Sequence, residues 1–516
     1  MPASRQSAAA MTRGEVAAYC ALQSVLLFVP ALICFFRDIV DDPDVWWHLK
    51  TGEWIFQHRA WPTIDTFSSH GAGNPWAAYS WIAELLLYGL HQALGLRGLV
   101  LYTAGLSVAI VAAFHGLLRR MGKNHLLVVV VTLVAALGLI RVATPRPWLF
   151  SILLFVIELD LLLTAGRTGN RRLLLWLIPL FVLWANVHIQ FVLGLLILGA
   201  GVAEPLLARA AGRRPQADHQ SSFTLHPSSF ILADADSHRI SFGWMLSIFV
   251  FSAAATLANP YHYHLYEVAV QLVGQSGLWD LIQELSAMRF RTIDNWAVLG
   301  VTVAAAFALG WRRQARLLLV LMFAMALYFS FRSQRDAWFV LFVGLALLAY
   351  VSPKAAVPRP ATPVWANWAI AGMVTLLVIG GTLLLSQSEL EKTVAEEYPA
   401  RAVQFIVQEH CSRPMFNPFS WGGYLIFHLP QVPVGIDGRT MVHGEERILR
   451  HADTLRGKEG WQDDPELSRA GLVVLPRSAA LASLLRLNDR FRLLHEDSVA
   501  VVFSANKSHR TQEKPR

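Results

Sequence analysis

The sequence predicts a mostly α-helical protein: a polytopic bundle of about eleven transmembrane spans, followed by an extracytoplasmic α/β domain at the C-terminus. Three observations predict it. Of 516 residues, 54% are hydrophobic and only 16% charged, where a soluble domain carries about a quarter charged residues. The apolar residues cluster into runs close to the roughly 20 residues that cross about 30 Å of hydrocarbon. The basic residues between the runs fall on alternate loops, the bias that orients multi-spanning chains.

The apolar runs are 16–36, 98–118, 125–142, 148–165, 172–187, 190–208, 241–258, 296–310, 316–331, 337–352 and 365–386. Arg5 and Arg13 precede the first run and no small-residue cleavage site follows it, so it reads as an uncleaved span. A further run, 78–94, reads as a helix lying at the interface. If it does not cross, Arg119, Arg120 and Lys123, then Arg167, Arg171 and Arg172, Arg209, Arg213 and Arg214, Arg312, Arg313 and Arg316, and Lys354 and Arg359 all fall on the cytoplasmic side. Trp81, Tyr88 and His91 suit a helix among headgroups.

The chain thus divides into a membrane domain, 1–386, with an outer loop at 37–97 and a cytoplasmic linker at 209–240, and a soluble domain, 387–516. The linker repeats Ser-Ser-Phe at 221–223 and 228–230 and reads as low complexity. In the tail, 399–410 and 447–456 have helical spacing, and 423–429, 432–436, 471–475 and 498–503 have the length of strands. Net charge is +8, but without a basic stripe interleaved with aromatics nucleic acid is not a partner. Cys20, Cys34 and Cys411 have neither metal spacing nor a disulfide framework.

Chemistry concentrates outside. The first outer loop opens Asp41-Asp-Pro-Asp-Val-Trp-Trp-His48. An acid at the mouth of a span can act as general base toward a hydroxyl, or hold a divalent cation against a phosphate. The alternative is an ordinary acidic loop with interfacial aromatics. Arg141, Arg146, Arg332 and Arg335 lie in outer turns against the charge bias, and guanidinium suits phosphate. They can equally snorkel, or pair with an acid such as Asp336. Glu158 and Asp160 fall near the middle of a span, as a polar pathway or a protonated pair. The outer-turn histidines His188, His262 and His264 lack zinc-ligand spacing.

Several stretches together resemble a family of bacterial multi-spanning proteins similar to the GT-C glycosyltransferases. They are Asp42-Pro-Asp-Val-Trp-Trp-His-Leu-Lys-Thr-Gly52, Pro62-Thr-Ile-Asp-Thr-Phe-Ser68, Pro75-Trp76, Ser80-Trp-Ile-Ala-Glu84, Arg146-Pro147, Trp184-Ala-Asn-Val-His188, Asn259-Pro-Tyr261, Arg335, Phe416-Asn-Pro-Phe-Ser-Trp-Gly-Gly-Tyr-Leu425 and Ile436-Asp-Gly-Arg439. The sequence departs from that pattern in Ile189-Gln190 after His188 and in His262 after Tyr261, where glycine is usual. The resemblance implies an enzyme of hexosyltransferase type in the cell envelope. It would transfer one sugar, with inversion, from a polyprenyl-phosphate carrier to an unknown acceptor outside the cytoplasm. Asp44, with Asp42 as alternative and His48 in support, would supply the base. Arg146, Arg335, Arg141 and Arg332 would contact the donor phosphate, and Trp46, Trp47, Glu84, Asn186 and His188 the acceptor or sugar. No cofactor is implied beyond the divalent cation already raised. The tail would cap the outer mouth, with Gly422-Gly423 in close approach to the first loop and Asp437-Gly-Arg439 a turn after a strand. A transporter or flippase, and a non-catalytic polysaccharide-assembly protein, are the rival readings.

The charge distribution makes the topology testable. A reporter fused after Gly122 should be cytoplasmic and one fused at the C-terminus extracytoplasmic; a cytoplasmic signal from the C-terminal fusion overturns the arrangement.

Overall fold

The computed structural model describes residues 12–37, 42–212, 240–312, 315–354, 363–411 and 414–506. Asp41 and most of the 209–240 linker, with both Ser-Ser-Phe triplets, lie outside them. The first fourteen helices are α1 (Arg13–Phe35), α2 (Val45–His58), α3 (Trp81–Leu94), α4 (Leu96–Arg120), α5 (His125–Gly138), α6 (Trp148–Thr168), α7 (Leu177–Val187), α8 (Phe191–Gly212), α9 (Phe242–Ala255), α10 (His264–Gly274), α11 (Ile293–Arg312), α12 (Leu317–Arg332), α13 (Ala337–Val351) and α14 (Val364–Leu384).

Among the described residues eight stretches are long and apolar enough to cross a membrane: α1, α4, α5 with the turn after it, α6, most of α8, α11, α13 with the turn before it, and α14. α9 and α12 are shorter apolar helices. The run at 172–187 divides into a 3-10 turn, Arg171–Trp176, and the 11-residue α7. All eleven runs are therefore helical, but three fall short of span length. α9 stops at Ala255 because a turn follows: the Asn259 amide donates to Thr256 O at 2.6 Å, and Asn259 Oδ1 accepts from Tyr261 N at 2.7 Å. α3, with 14 residues, is only about 21 Å long and falls outside the span-length set.

α13 runs through the middle of the bundle, buried almost continuously from Ala337 to Leu347. Its Phe339 and Phe342 meet Phe155 and Phe114 edge-on, with centroids 5.3 and 5.0 Å apart. The outer helices instead expose Val25, Leu126, Phe251, Phe307 and Leu376, a surface that matches hydrocarbon and would aggregate in water. Of the two mid-span acids, Asp160 accepts from Arg120 Nε at 2.9 Å. Glu158 is fully buried beside Gly194, with no hydrogen-bond partner among the described residues. The two do not form a pair.

Beyond residue 386 come α15 (Gln387–Glu397), α16 (Ala400–Gln408), α17 (Gly422–His428), α18 (Thr440–His443), α19 (Glu445–Leu455), α20 (Pro465–Arg469) and α21 (Ala480–Arg486). With them are β1 (Met415–Phe416), β2 (Leu472–Pro476), β3 (Phe491–Glu496) and β4 (Ala500–Ala505). The sheet order is β1-β2-β4-β3, with β1 parallel to β2 and the other pairs antiparallel. Successive side chains of a strand face opposite ways. Val473, Leu475, Val501 and Phe503 thus share one core with Leu481 and Leu485, while Leu472, Val474, Ala500 and Val502 join the large core on the other side. Covered on both faces, β2 and β4 read as unbroken apolar runs.

Two strand expectations fail. The run at 423–429 is α17, a case in which a short apolar run alone does not separate helix from strand. The run at 432–436 makes a single bridge among the described residues, Val434 with Ser68 of the first loop. Gly423 lets α17 press on α2, since a Cβ there would lie 2.7 Å from Pro43 O.

A buried ion cluster holds the tail on the first loop. Arg439 Nε and Nη2 donate to the two oxygens of Asp437 at 2.8 and 2.7 Å, and Nη1 lies 2.7 Å from Asp65 Oδ1. His443 Nε2 is 3.0 Å from Asp437 Oδ2, and the Arg439 guanidinium lies 4.7 Å over the Trp76 ring. Burial pushes Asp437 upward, but Arg439 and His443 outweigh it and hold the carboxyl well below its ordinary value. Such a carboxylate stabilises the fold above its unfolded value of about 3.9 and loses that contribution as pH falls. Arg439→Ala removes the cation that two buried carboxylates share and should cost about 3–5 kcal/mol. Thermal unfolding of the purified protein measures it; an unchanged midpoint would show that the cluster does not hold the tail.

Candidate active site

The loop after α1, the segment between α9 and α11 and the turn before α18 meet around one cavity of about 1720 Å³. The loop begins with an Asp-Pro-Asp turn in which Asp42 Oδ1 accepts from Asp44 N at 3.0 Å. Helix α2 starts immediately after it, so Asp44 and His48 sit one turn apart and both line the cavity. Tyr261 fixes the far end of the loop: its hydroxyl donates to Pro62 O at 2.9 Å and accepts from Ala78 N at 3.0 Å.

Arg146 stands at the centre. Its Nε donates to both oxygens of Asp42 at 2.7 and 2.6 Å, while Nη1 is 2.9 Å from Asp44 Oδ2 and 3.2 Å from Glu284 Oε1. Burial pulls this guanidinium down, but the three carboxylates raise it well above its ordinary value, so it stays charged. Asp44 is pushed up to about 7, by burial first and by Asp42 and Glu284 after it, with Arg146 opposing. The turn at Gly438 closes over this carboxylate, and a Cβ there would lie 2.0 Å from Asp44 Oδ1.

The other three arginines line the same cavity without a carboxylate at ion-pair distance among the described residues. Arg141 donates to the side-chain oxygens of Asn295 and Gln334. Arg332 lies 3.9 Å over the Trp279 ring and donates to the Tyr328 hydroxyl at 3.2 Å. Arg335 has no hydrogen-bond partner for its buried Nε. The cavity therefore gathers three carboxylates around Arg146 and carries these three arginines elsewhere on its wall, where Asp336 lies close enough to Arg335 to feel its charge and accepts from Gln190 Nε2 at 2.9 Å. His188, also on the wall, is held by Ser151 Oγ at 2.8 Å. Burial, then Arg335 and Arg146, push it down to about 3.

Of the residues expected to touch acceptor or sugar, Trp47 and His188 line the cavity, whereas Trp46, Glu84 and Asn186 do not. Trp46 is buried between α2 and α17, edge-on to Tyr424 at 5.1 Å. Asn186 accepts from Trp81 Nε1 and donates to Ala258 O, both at 2.8 Å, tying α3 to α7 and α9. Glu84 faces His48, with Oε1 at 2.9 Å from His48 Nδ1. Arg146 was expected to meet a phosphate; its guanidinium is already surrounded by acids. Sequence reasoning missed Glu284, Tyr79 and Gln190 on the wall. Glu284 lies in a stretch without a motif, and only its contact with Arg146 marks it. His262, which stands where the resemblance expects glycine, has φ of 48°, the left-handed region that glycine adopts without strain. Among the described residues no group of three or more His, Cys, Asp or Glu side chains could hold a metal ion.

No protein-family model matches this chain, and no curated protein does. Among solved structures, the fold is similar to that of the archaeal oligosaccharyltransferase AglB from Archaeoglobus fulgidus in complex with an inhibitory peptide and a dolichol-phosphate. The TM-score is 0.51 at 11% identity, over 88% of this chain and 69% of that one. That likeness is one of fold alone.

The closeness of Gly438 to Asp44 can be tested on binding and turnover. Gly438→Ala must displace either the turn or the carboxylate, so transfer or ligand binding should fall while thermal stability changes by less than in Arg439→Ala. Wild-type behaviour on both counts would mean that the turn does not set the position of Asp44.

Proposed function

We propose that the protein is a membrane glycosyltransferase that moves a sugar from a polyprenyl-phosphate carrier to an acceptor on the extracytoplasmic face. One observation carries the reading: a single cavity brings Asp44, pushed up to about 7, together with three arginines that have no carboxylate at ion-pair distance among the described residues. The fold similarity to an oligosaccharyltransferase solved with a dolichol-phosphate supports it. One wall of the cavity is apolar, with Val192, Leu193, Leu196, Val270 and Phe329, and would receive the first units of a prenyl chain.

In this reading Arg335, Arg332 and Arg141 take the donor phosphate, and Arg146 holds the acids in place. Asp44 accepts the proton of the acceptor hydroxyl as its oxygen attacks the anomeric carbon. The bond from that carbon to the phosphate oxygen breaks, and the lipid phosphate leaves with the electron pair. Attack opposite the leaving group inverts the anomeric centre. A base is most effective when its pKa lies near the working pH, and Asp44 meets that condition because burial offsets the pull of Arg146. Trp47, Tyr79 and His188 would face the sugar or the acceptor.

The test is sugar transfer in membranes carrying Asp44→Asn, followed by mass analysis of glycoconjugates. Loss of a general base should lower turnover by about 10²–10⁴-fold. Because the ionised form accepts the proton, activity should rise with pH through about 7. Near-normal transfer by both Asp44→Asn and Asp42→Asn rules out this assignment.

A further inference from the structure

The contact between His48 and Glu84 plays no part in the reaction just described. We infer that the two form a neutral couple in which Glu84 carries a proton and donates it to His48 Nδ1, leaving His48 Nε2–H as a fixed hydrogen-bond donor to an oxygen of the lipid-linked phosphate. The inference rests on the proposed function for its ligand, and on the geometry and burial of the couple for its proton.

The couple is made unavoidable by packing. Helices α2 and α3 touch at Gly52, where a Cβ would lie 2.2 Å from Glu84 O. That approach brings Glu84 Oε1 to 2.9 Å from His48 Nδ1, with both residues buried at 1% and 4% exposure. The Trp47 ring lies against the imidazole, centroids 3.6 Å apart, and limits its rotation. Nδ1 is thereby committed, and Nε2 is the ring nitrogen left for the cavity that His48 lines.

The position of the proton follows from what surrounds Glu84. Its Oε2 is buried and has no hydrogen-bond partner among the described residues. An ionised carboxylate would leave charge on a buried oxygen that no donor among the described residues reaches, whereas a carboxylic acid leaves only a carbonyl oxygen unpaired. The nearest cation to influence it, Arg439, is already held by Asp437 and Asp65. On the histidine side, Arg146 and His188 both oppose an imidazolium. Tyr79, Tyr102 and Tyr261 also feel Glu84, and none of the three can carry a positive charge. Burial also pushes Glu84 up and His48 down, the directions that leave both neutral.

The competing arrangement has the same atoms and the proton elsewhere. An ionised Glu84 would take Nδ1–H, and His48 Nε2 would be a bare base, as in a Ser-His-Asp triad. Glu84 acts through His48 in either case and is a positioning residue.

The full-length protein labelled with ¹⁵N-histidine separates the two without substrate. His48 should show an unprotonated Nδ1 and a protonated Nε2 throughout the range where free histidine titrates. Infrared spectra should contain a carboxylic-acid C=O band that Glu84→Gln removes. The resonances are assigned by their loss in His48→Gln and by their shift in Glu84→Gln. An Nδ1–H tautomer, an imidazolium, or an acid band untouched by Glu84→Gln overturns the inference. These readouts stand even if glycosyl transfer is refuted. Where transfer is measurable, His48→Ala should lose about 10²–10³-fold, the effect of removing one donor aimed at developing negative charge. His48→Gln, which keeps an N–H, should recover part of it; a glutamine variant no better than alanine speaks against a donor.

Discussion

A single buried guanidinium sets the terms for the rest of the cavity mouth. Asp42, Asp44 and Glu284 come from segments about 240 residues apart, and they meet because Arg146 lies between them. Three carboxylates gathered without a cation would repel one another and take up protons. With Arg146 between them the three are held together, and Asp44, raised by burial and by its two acidic neighbours against the pull of Arg146, is pushed up to about 7. Arg146 is itself placed by the turn before α6 and by the Trp148 ring, whose face lies 4.6 Å below the guanidinium. The same cation therefore anchors two loops and tunes one carboxyl.

The tail completes this arrangement and is not a separate appendage. The Arg439 cluster holds the turn before α18 against Asp65, and that turn carries Gly438 onto Asp44. Helix α2 is the spine on which both halves bear: α3 reaches it through Gly52 and α17 through Gly423. At each of these contacts backbone meets backbone or carboxylate at a distance no side chain permits. The glycines of the first loop and of the tail are thus steric counterparts, although some 370 residues separate them.

Much of the fold was legible in the sequence, because its determinants are local. Every apolar run formed a helix, and the strands at 472–476 and 500–505 fell where two-sided burial gives unbroken apolar stretches. The exceptions are also local in origin. A short run such as 423–429 satisfies helix and strand patterns equally, and the length of α9 was decided by the Asn259-Pro260 turn rather than by hydropathy.

The sequence by itself determined that an acid-rich segment and several arginines lie at the ends of apolar runs, since composition and pattern are properties of the chain. Only the tertiary structure decided which partner each group has. Trp46 and Trp47 are neighbours, yet a helix turns by about 100° per residue, so one enters the core and the other the cavity wall. Arg146 is ion-paired to carboxylates and, among the described residues, Arg335 has none at ion-pair distance, although both stand against the charge bias. Glu84 turns to His48, and Glu284 enters the site from a stretch without any motif. Each outcome depends on contacts between segments far apart in sequence, and the energy of such a contact is not carried by either segment alone.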